Sequence, residues 1–97
     1  MSALIVANIV VNNPANLAAY QAAAAASMKE FGIRLLGKAG PTEMLEGKFE
    51  GIITVVLEAE SEDKARAWYA SESYQKAIEA RSEDAKFTIA IVPSFGG

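Results

Sequence analysis

The sequence predicts an α+β domain in which a four-stranded antiparallel sheet carries two helical regions on one face. Three observations predict it. Four runs of strand length, Ala3–Val11, Ile33–Lys38, Ile52–Glu58 and Lys86–Val92, punctuate the chain. The stretches after the first and third runs carry helix caps and, in the first case, apolar residues at helical spacing. The resulting order, β-α-β-β-α-β, is a recurring supersecondary pattern with both helices on the same side of the sheet.

Taken in order, Ala3–Val11 is rich in Ile and Val and too short for an ordinary helix. Asn12-Asn13-Pro14 signals a helix start: Asn13 caps, and Pro14 suits the first helical position, where a missing N–H has no intrahelical partner anyway. Leu17, Tyr20, Ala24, Met28 and Phe31 then fall on one helical face. The run Ala22–Ala26 combines high helix propensity with small side chains that allow close approach to a sheet. Gly32 stands where a left-handed C-terminal cap belongs. After strand two, Gly40-Pro41-Thr42 reads as a turn, Glu43–Glu46 as a short extension and Gly47–Gly51 as a hairpin connection. Ile52–Glu58 is the strongest strand signal. Ser61 caps the second helix, with Glu62 and Asp63 favouring its positive N-terminal end. A break near Ser71 is expected, with Ser71 or Ser73 capping a second segment that runs through Arg81. Lys86–Val92 is strand four, ended by Pro93. Residues 1–97 read as one ferredoxin-like domain.

Composition bounds the function. Hydrophobic residues make up 52% of the chain and charged residues 22%, a globular rather than disordered balance. A net charge of -3 without a Lys/Arg cluster disfavours nucleic acid as a partner. The apolar runs are of strand length, so no transmembrane span is expected, and the N-terminus lacks the basic region of a signal peptide. With no Cys in the chain, a cytoplasmic location is the reading. The absence of His and Cys removes the usual proton shuttle, thiolate nucleophile and soft metal ligands. No cofactor and no metal are expected. Glu43 and Glu46 lie on opposite faces of an extended segment and make no acid–base pair, and the glycines at 32, 37 and 40 do not fit a phosphate loop.

The strands are apolar on both sides. Leu4, Val6 and Val10 face one way in strand one, and Ile5, Ile9 and Val11 the other. Strand three sets Ile52 and Val56 against Ile53, Val55 and Leu57. Strand four sets Phe87, Ile89 and Ile91 against Ala90 and Val92. Two helices shelter only one face, and each Val, Leu or Ile left wet forfeits roughly 1.5–3 kcal/mol. A homodimer packed sheet to sheet is therefore expected. The alternative is a monomer whose second face is covered by its own loops and tail, Phe95 included.

Functional groups crowd into Arg66–Gln75. This stretch, with Arg81 just beyond, holds the only Trp, two of three Tyr and two of three Arg. Tyr74, Ile78 and Arg81 fall at i, i+4 and i+7, on one helical face. A guanidinium on an apolar face needs a partner. Either Arg81 and Tyr74 contact a ligand's anionic or carbonyl group while Trp68 and Tyr69 supply aromatic walls, or Arg81 pairs with a carboxylate such as Glu58 or Glu79 and the aromatics fill core. Arg34 and Lys38 share strand parity and could hold a carboxylate, or pair with Glu43 or Glu46. Asn8 interrupts an apolar strand face, pointing into a pocket or satisfying strand-edge backbone.

Two segments carry a resemblance across almost the whole chain. Gly32-Ile33-Arg34-Leu35-Leu36 with Gly40–Gly47 is one, and Ala65–Gln75 with Ala77 and Arg81 is the other. Together they resemble a family of short, mostly bacterial proteins known as domain of unknown function 1330. The resemblance implies the dimeric α+β barrel superfamily, in which two ferredoxin-like units pair through their sheets. Its members include cofactor-independent monooxygenases of aromatic polyketides. The chain departs from the family pattern in three places: Ile33 stands where a second Gly is common, the connection at Lys48–Gly51 is short, and the Pro usual near Glu72 and Ser73 is missing.

The expectation is a dimer that binds a small hydrophobic or aromatic carbonyl or carboxylate compound between helices and sheet. Trp68, Tyr69 and Tyr74 would wall the site, with Asn8, Arg34 and Arg81 as polar contacts. This extends to a cofactor-independent monooxygenase-like or isomerase-like enzyme, in which Tyr or Arg stabilises an enolate or phenolate. The alternative is a non-catalytic accessory or assembly module that uses the sheet for association. A cavity exposing Arg81 and Trp68 to one space separates the first from the second.

Overall fold

The computed structural model describes residues 2–39, 43–48 and 53–93. Strand β1 (Ala3–Val10) alternates as its sequence dictates: Ala3, Ile5, Ala7 and Ile9 are buried, while Leu4, Val6, Asn8 and Val10 are half-buried on the opposite face. Asn13 accepts a hydrogen bond from the Ala15 N–H (3.1 Å) and opens a 3-10 turn at Pro14–Leu17. Helix α1 (Ala18–Phe31) follows and ends at Gly32, which takes the left-handed conformation (φ 67°) that glycine adopts without steric penalty. Leu17, Tyr20 and Ala24 of the predicted face are buried, and Met28 and Phe31 pack at its edge.

Strands β2 (Arg34–Ala39) and β3 (Ile53–Ala59) come next, then α2 (Glu62–Ala70), α3 (Glu72–Glu79) and β4 (Lys86–Pro93). The sheet order is β2-β3-β1-β4, with every neighbour antiparallel. Strand β1 is central. Ile5 stands between Leu57 and Ile91, and Ala7 between Val55 and Ile89. These rows meet Tyr20, Ala24, Ala65, Trp68, Tyr74 and Ala77 from the helices to form the main core. Each fully buried large side chain there contributes roughly 1.5–3 kcal/mol. A smaller cluster of Ile9, Val11, Leu17 and Ile53 closes the other end.

Helices and strands thus fall where the sequence places them, with small differences. Residues 43–48 form bends rather than an extension, because Gly47 adopts positive φ (77°) and the segment has no strand partner among the described residues. The predicted turn at Gly40–Thr42 and the tail containing Phe95 lie outside the described residues, as does most of the predicted Gly47–Gly51 hairpin. A register shift between Leu35 and Gly37 interrupts the alternation of β2, so sequence parity does not fix a common face for Arg34 and Lys38.

The sheet face turned away from the helices reads in rows. Arg34, Glu58, Leu4 and Val92 form one, followed by Gly37, Val56, Val6 and Ala90. Thr54, Asn8 and Thr88 form the next, and Val10 and Lys86 another. None of these residues is buried. No helix among the described residues is long and apolar enough to cross a membrane.

Candidate functional site

Ser71 positions the site. Its hydroxyl donates to the Trp68 carbonyl (2.6 Å) and accepts from the Tyr74 N–H (3.2 Å), so one side chain ends α2 and starts α3. The bend it makes turns Trp68 and Tyr74 toward the same interior, with ring centroids 4.2 Å apart. Trp68 is buried and donates its indole N–H to Ser27 Oγ (3.0 Å), which in turn donates to the Ala24 carbonyl (2.7 Å). The indole is thereby fixed to α1.

Tyr74, Tyr20 and Arg81 form a second chain. The two phenolic oxygens are 2.7 Å apart, and Arg81 donates from Nη2 to Tyr74 Oη (2.8 Å). The seven-residue spacing predicted a shared side for the two residues, though α3 stops at Glu79 and does not run through Arg81. Burial pushes the Tyr74 phenol well above its ordinary value, and the hydrogen bond with Tyr20 adds to that. Tyr74 is therefore a neutral hydrogen-bonding group at physiological pH and not a resting base. The Arg81 guanidinium carbon lies 3.7 Å from the Phe87 ring centroid and 5.1 Å from that of Tyr20, a stacked cationic arrangement.

Arg81 has no carboxylate partner among the described residues. Glu58 is bonded to Arg34, and the remaining ion pairs join Arg66 to Glu62 and Asp63, and Lys76 to Glu72. Its Nε is buried and has no acceptor among the described residues. A buried donor without a partner costs about 1–3 kcal/mol and is rare in folded proteins.

Beside this guanidinium, α2 stands off the β4 side of the sheet and leaves a cavity of about 530 Å³. Ala65, Arg66, Trp68 and Tyr69 line it from α2, Arg81 from beyond α3, and Ile5, Phe87, Ile89 and Ile91 from the sheet. Tyr69 is exposed at its rim, and Arg66 reaches it while paired to Glu62 (3.2 Å) and Asp63 (3.1 Å). No carboxylate lines it among the described residues. A second cavity of about 230 Å³ lies under α1, where Ala24, Ala25 and Met28 face Leu35, Val55 and Leu57.

Of the residues singled out in the sequence, the structure brings Trp68, Tyr69 and Arg81 to one cavity. Tyr74 does not line that space. It stands behind Arg81 and borders the second cavity instead. Asn8 and Arg34 project from the far face of the sheet, so they are not polar contacts of this chamber within one chain. Asn8 Oδ1 accepts from the Thr54 hydroxyl (3.1 Å), and Arg34 is paired to Glu58 rather than to Glu43 or Glu46. Strand alternation dictates that placement: even-numbered residues of β1 cannot share a face with Ile5. Arg66, Tyr20 and Phe87 complete the site beyond the residues predicted. Tyr20 carried a signal, since its hydroxyl on an apolar helix face requires a partner.

Comparisons with known proteins agree with this architecture. A family model described as Domain of unknown function (DUF1330) matches residues 2–95. No curated protein matches the chain. Among solved structures, RPA0582 of Rhodopseudomonas palustris, a protein of unknown function, is similar with 14% identity and a TM-score of 0.68, over 92% of this chain and 80% of that one. SnoaB of Streptomyces nogalater, described as a cofactor-independent oxygenase, is similar at 13% identity and a TM-score of 0.67, over 99% and 95% of the two chains. A candidate antibiotic biosynthesis monooxygenase of Caulobacter crescentus is similar at 17% identity and a TM-score of 0.58, over 96% and 89%. At these identities the likeness shows a shared ferredoxin-like α+β fold.

Proposed function

This chain belongs to the DUF1330 family, and we propose that it binds a small hydrophobic or aromatic carbonyl or carboxylate compound in the cavity between α2 and β4. The observation that carries the proposal is Arg81: a guanidinium stacked on Phe87, lining the cavity, without a carboxylate and with Nε unsatisfied among the described residues. A carbonyl or carboxylate oxygen supplies the acceptor it lacks, and Trp68 and Tyr69 supply apolar walls.

The chemistry available there is stabilisation of an oxyanion. Arg81 offers fixed positive charge in a partly desolvated space, where it favours enolate or phenolate over the neutral form. With no carboxylate or imidazole at the cavity wall among the described residues, a substrate turned over there must ionise readily by itself. An enolisable carbonyl compound or acidic phenol meets that condition and allows oxygenase-like or isomerase-like turnover. The fold shared with SnoaB supports this extension as analogy. A purely associative role leaves both the cavity and the orphaned donor of Arg81 without a purpose.

The protein acts as a cytoplasmic homodimer in this proposal, its partner covering the Leu4, Val6, Val56 and Val92 face, which leaves the ligand cavity on the helical side free.

The binding proposal is tested by thermal shift with a panel of aromatic and aliphatic carboxylates and ketones. A ligand at ten times its Kd adds about 1.4 kcal/mol, or roughly 6–11 °C for a domain of this size. Arg81→Ala should abolish the rise. A flat response across the panel, or one that Arg81→Ala leaves intact, overturns the assignment.

A further inference from the structure

We propose that the two cavities are halves of one site, and that its ligand is a monocarboxylate bearing a flexible aliphatic chain. The carboxylate sits at Arg81, and the chain reaches past Trp68 into the space under α1. The inference rests on the anion-binding proposal above and narrows it to one ligand class.

Three observations support it. First, the cavities are adjoining: Ile5, Trp68 and Ile89 line both. One indole and two isoleucine side chains separate about 530 Å³ on one side from about 230 Å³ on the other. Second, their chemistry is complementary along a single molecule. The larger space has the guanidiniums of Arg81 and Arg66 and three aromatic side chains. The smaller has mostly aliphatic walls; among the described residues its polar side-chain groups are the Tyr20 and Tyr74 hydroxyls, which bond each other, the Trp68 indole N–H, which is given to Ser27, and the Gln21 amide. A compound occupying both is anionic at one end and apolar at the other. Third, the alanine run leaves room for this space. Ala24 and Ala25 border the second space, and larger residues at those positions would close it. Met28, unbranched and adaptable, forms part of the same wall.

The neck at Trp68 selects shape. A methylene chain needs only a small displacement of the indole, which is hydrogen-bonded to Ser27 and packed against Tyr74. A rigid fused-ring system would need the whole partition removed. Hydrophobic ligands therefore gain affinity with chain length, and aromatic acids occupy the front half alone.

Trp68 is the sole tryptophan and belongs to both walls, so its fluorescence reports filling of either half. Straight-chain carboxylates from butanoate to decanoate are titrated into the intact protein, with decanol as the uncharged control. Affinity should rise about fourfold per added methylene until the rear space is full. Decanol should bind far more weakly than decanoate, and Arg81→Ala should weaken every acid. Ala25 is exposed at the helix surface, so Ala25→Leu is compatible with folding. It should remove the chain-length gain of octanoate and decanoate and leave butanoate unchanged. If butanoate and benzoate bind in an Arg81-dependent way but added methylenes bring nothing, the joined-cavity inference falls and anion binding stands. A chain-length gain that Ala25→Leu does not alter, or decanol matching decanoate, also overturns the inference. If no carboxylate binds, or Arg81→Ala changes nothing, the underlying proposal falls with it.

Discussion

Tyr74 concentrates the physics of the interior. It is 0% exposed, bonded through one oxygen to both Tyr20 and Arg81, and wedged against Trp68. Tyr74→Phe keeps the ring and removes the oxygen, leaving Tyr20 and Arg81 each short of a partner, at a cost of about 1–3 kcal/mol near neutral pH. The phenol also gives a signed pH dependence. Its folded-state pKa is raised above the ordinary value, so the unfolded chain releases this proton first. The contribution is intact below about pH 10 and is lost as pH rises further, with a slope of at most about 1.4 kcal/mol per pH unit. Urea unfolding in mildly and then strongly alkaline buffer should show this loss in the wild type and less of it in Tyr74→Phe. At this scale the sequence was informative in part: helical spacing put Tyr74 and Arg81 on one side of the chain, although α3 ends at Glu79 and Arg81 reaches Tyr74 from just past the helix. It marked Tyr20 as a hydroxyl in need of a partner but could not say that Tyr20 and Phe87 reach Arg81, which happens only through tertiary packing of α1 and β4. Arg34 misled because its ion-pair partner, Glu58, is set by the pairing of β2 with β3 and not by sequence proximity.

Helices α2 and α3 owe their separation to one serine. Ser71 closes one helix through the Trp68 carbonyl and opens the next through the Tyr74 N–H. Ser71→Ala loses both bonds. The cap alone is worth about 1 kcal/mol, so the melting temperature should fall by roughly 4–8 °C. Ser71→Asp restores an acceptor for Tyr74 but no donor for Trp68, and its melting temperature should lie between the other two. Equal values for alanine and aspartate would show that the cap contributes nothing. This break was legible because a capping residue sits inside an otherwise helical stretch, just as Asn13, Gly32 and Ser61 marked the other helix ends. The shift in β2 was not, since a bulge depends on how two strands meet.

For the molecule as a whole, the deciding feature is the sheet face that the helices leave uncovered. Its apolar centre, Val6 beside Val56 and Ala90, is framed by the Arg34–Glu58 pair and Lys86. Sedimentation at micromolar concentration should give a dimer, and Val6→Lys, which sets a charge at the middle of that face, should give a folded monomer. A wild-type monomer would remove the sheet-to-sheet pairing. The uncovered face was visible in the sequence because strands with apolar residues on both sides outnumber the helices available to cover them. The cavity was not visible, because empty space arises from how far α2 stands from β4, a distance no local pattern encodes.

The position of β1 has a consequence for synthesis on the ribosome. The first strand to emerge occupies the middle of the sheet, and both of its neighbours are translated much later. Until β3 appears, its edges have nothing to pair with, and until β4 follows, half of its hydrogen-bonding groups remain unmatched. Such distant pairing delays folding and prolongs exposure to aggregation.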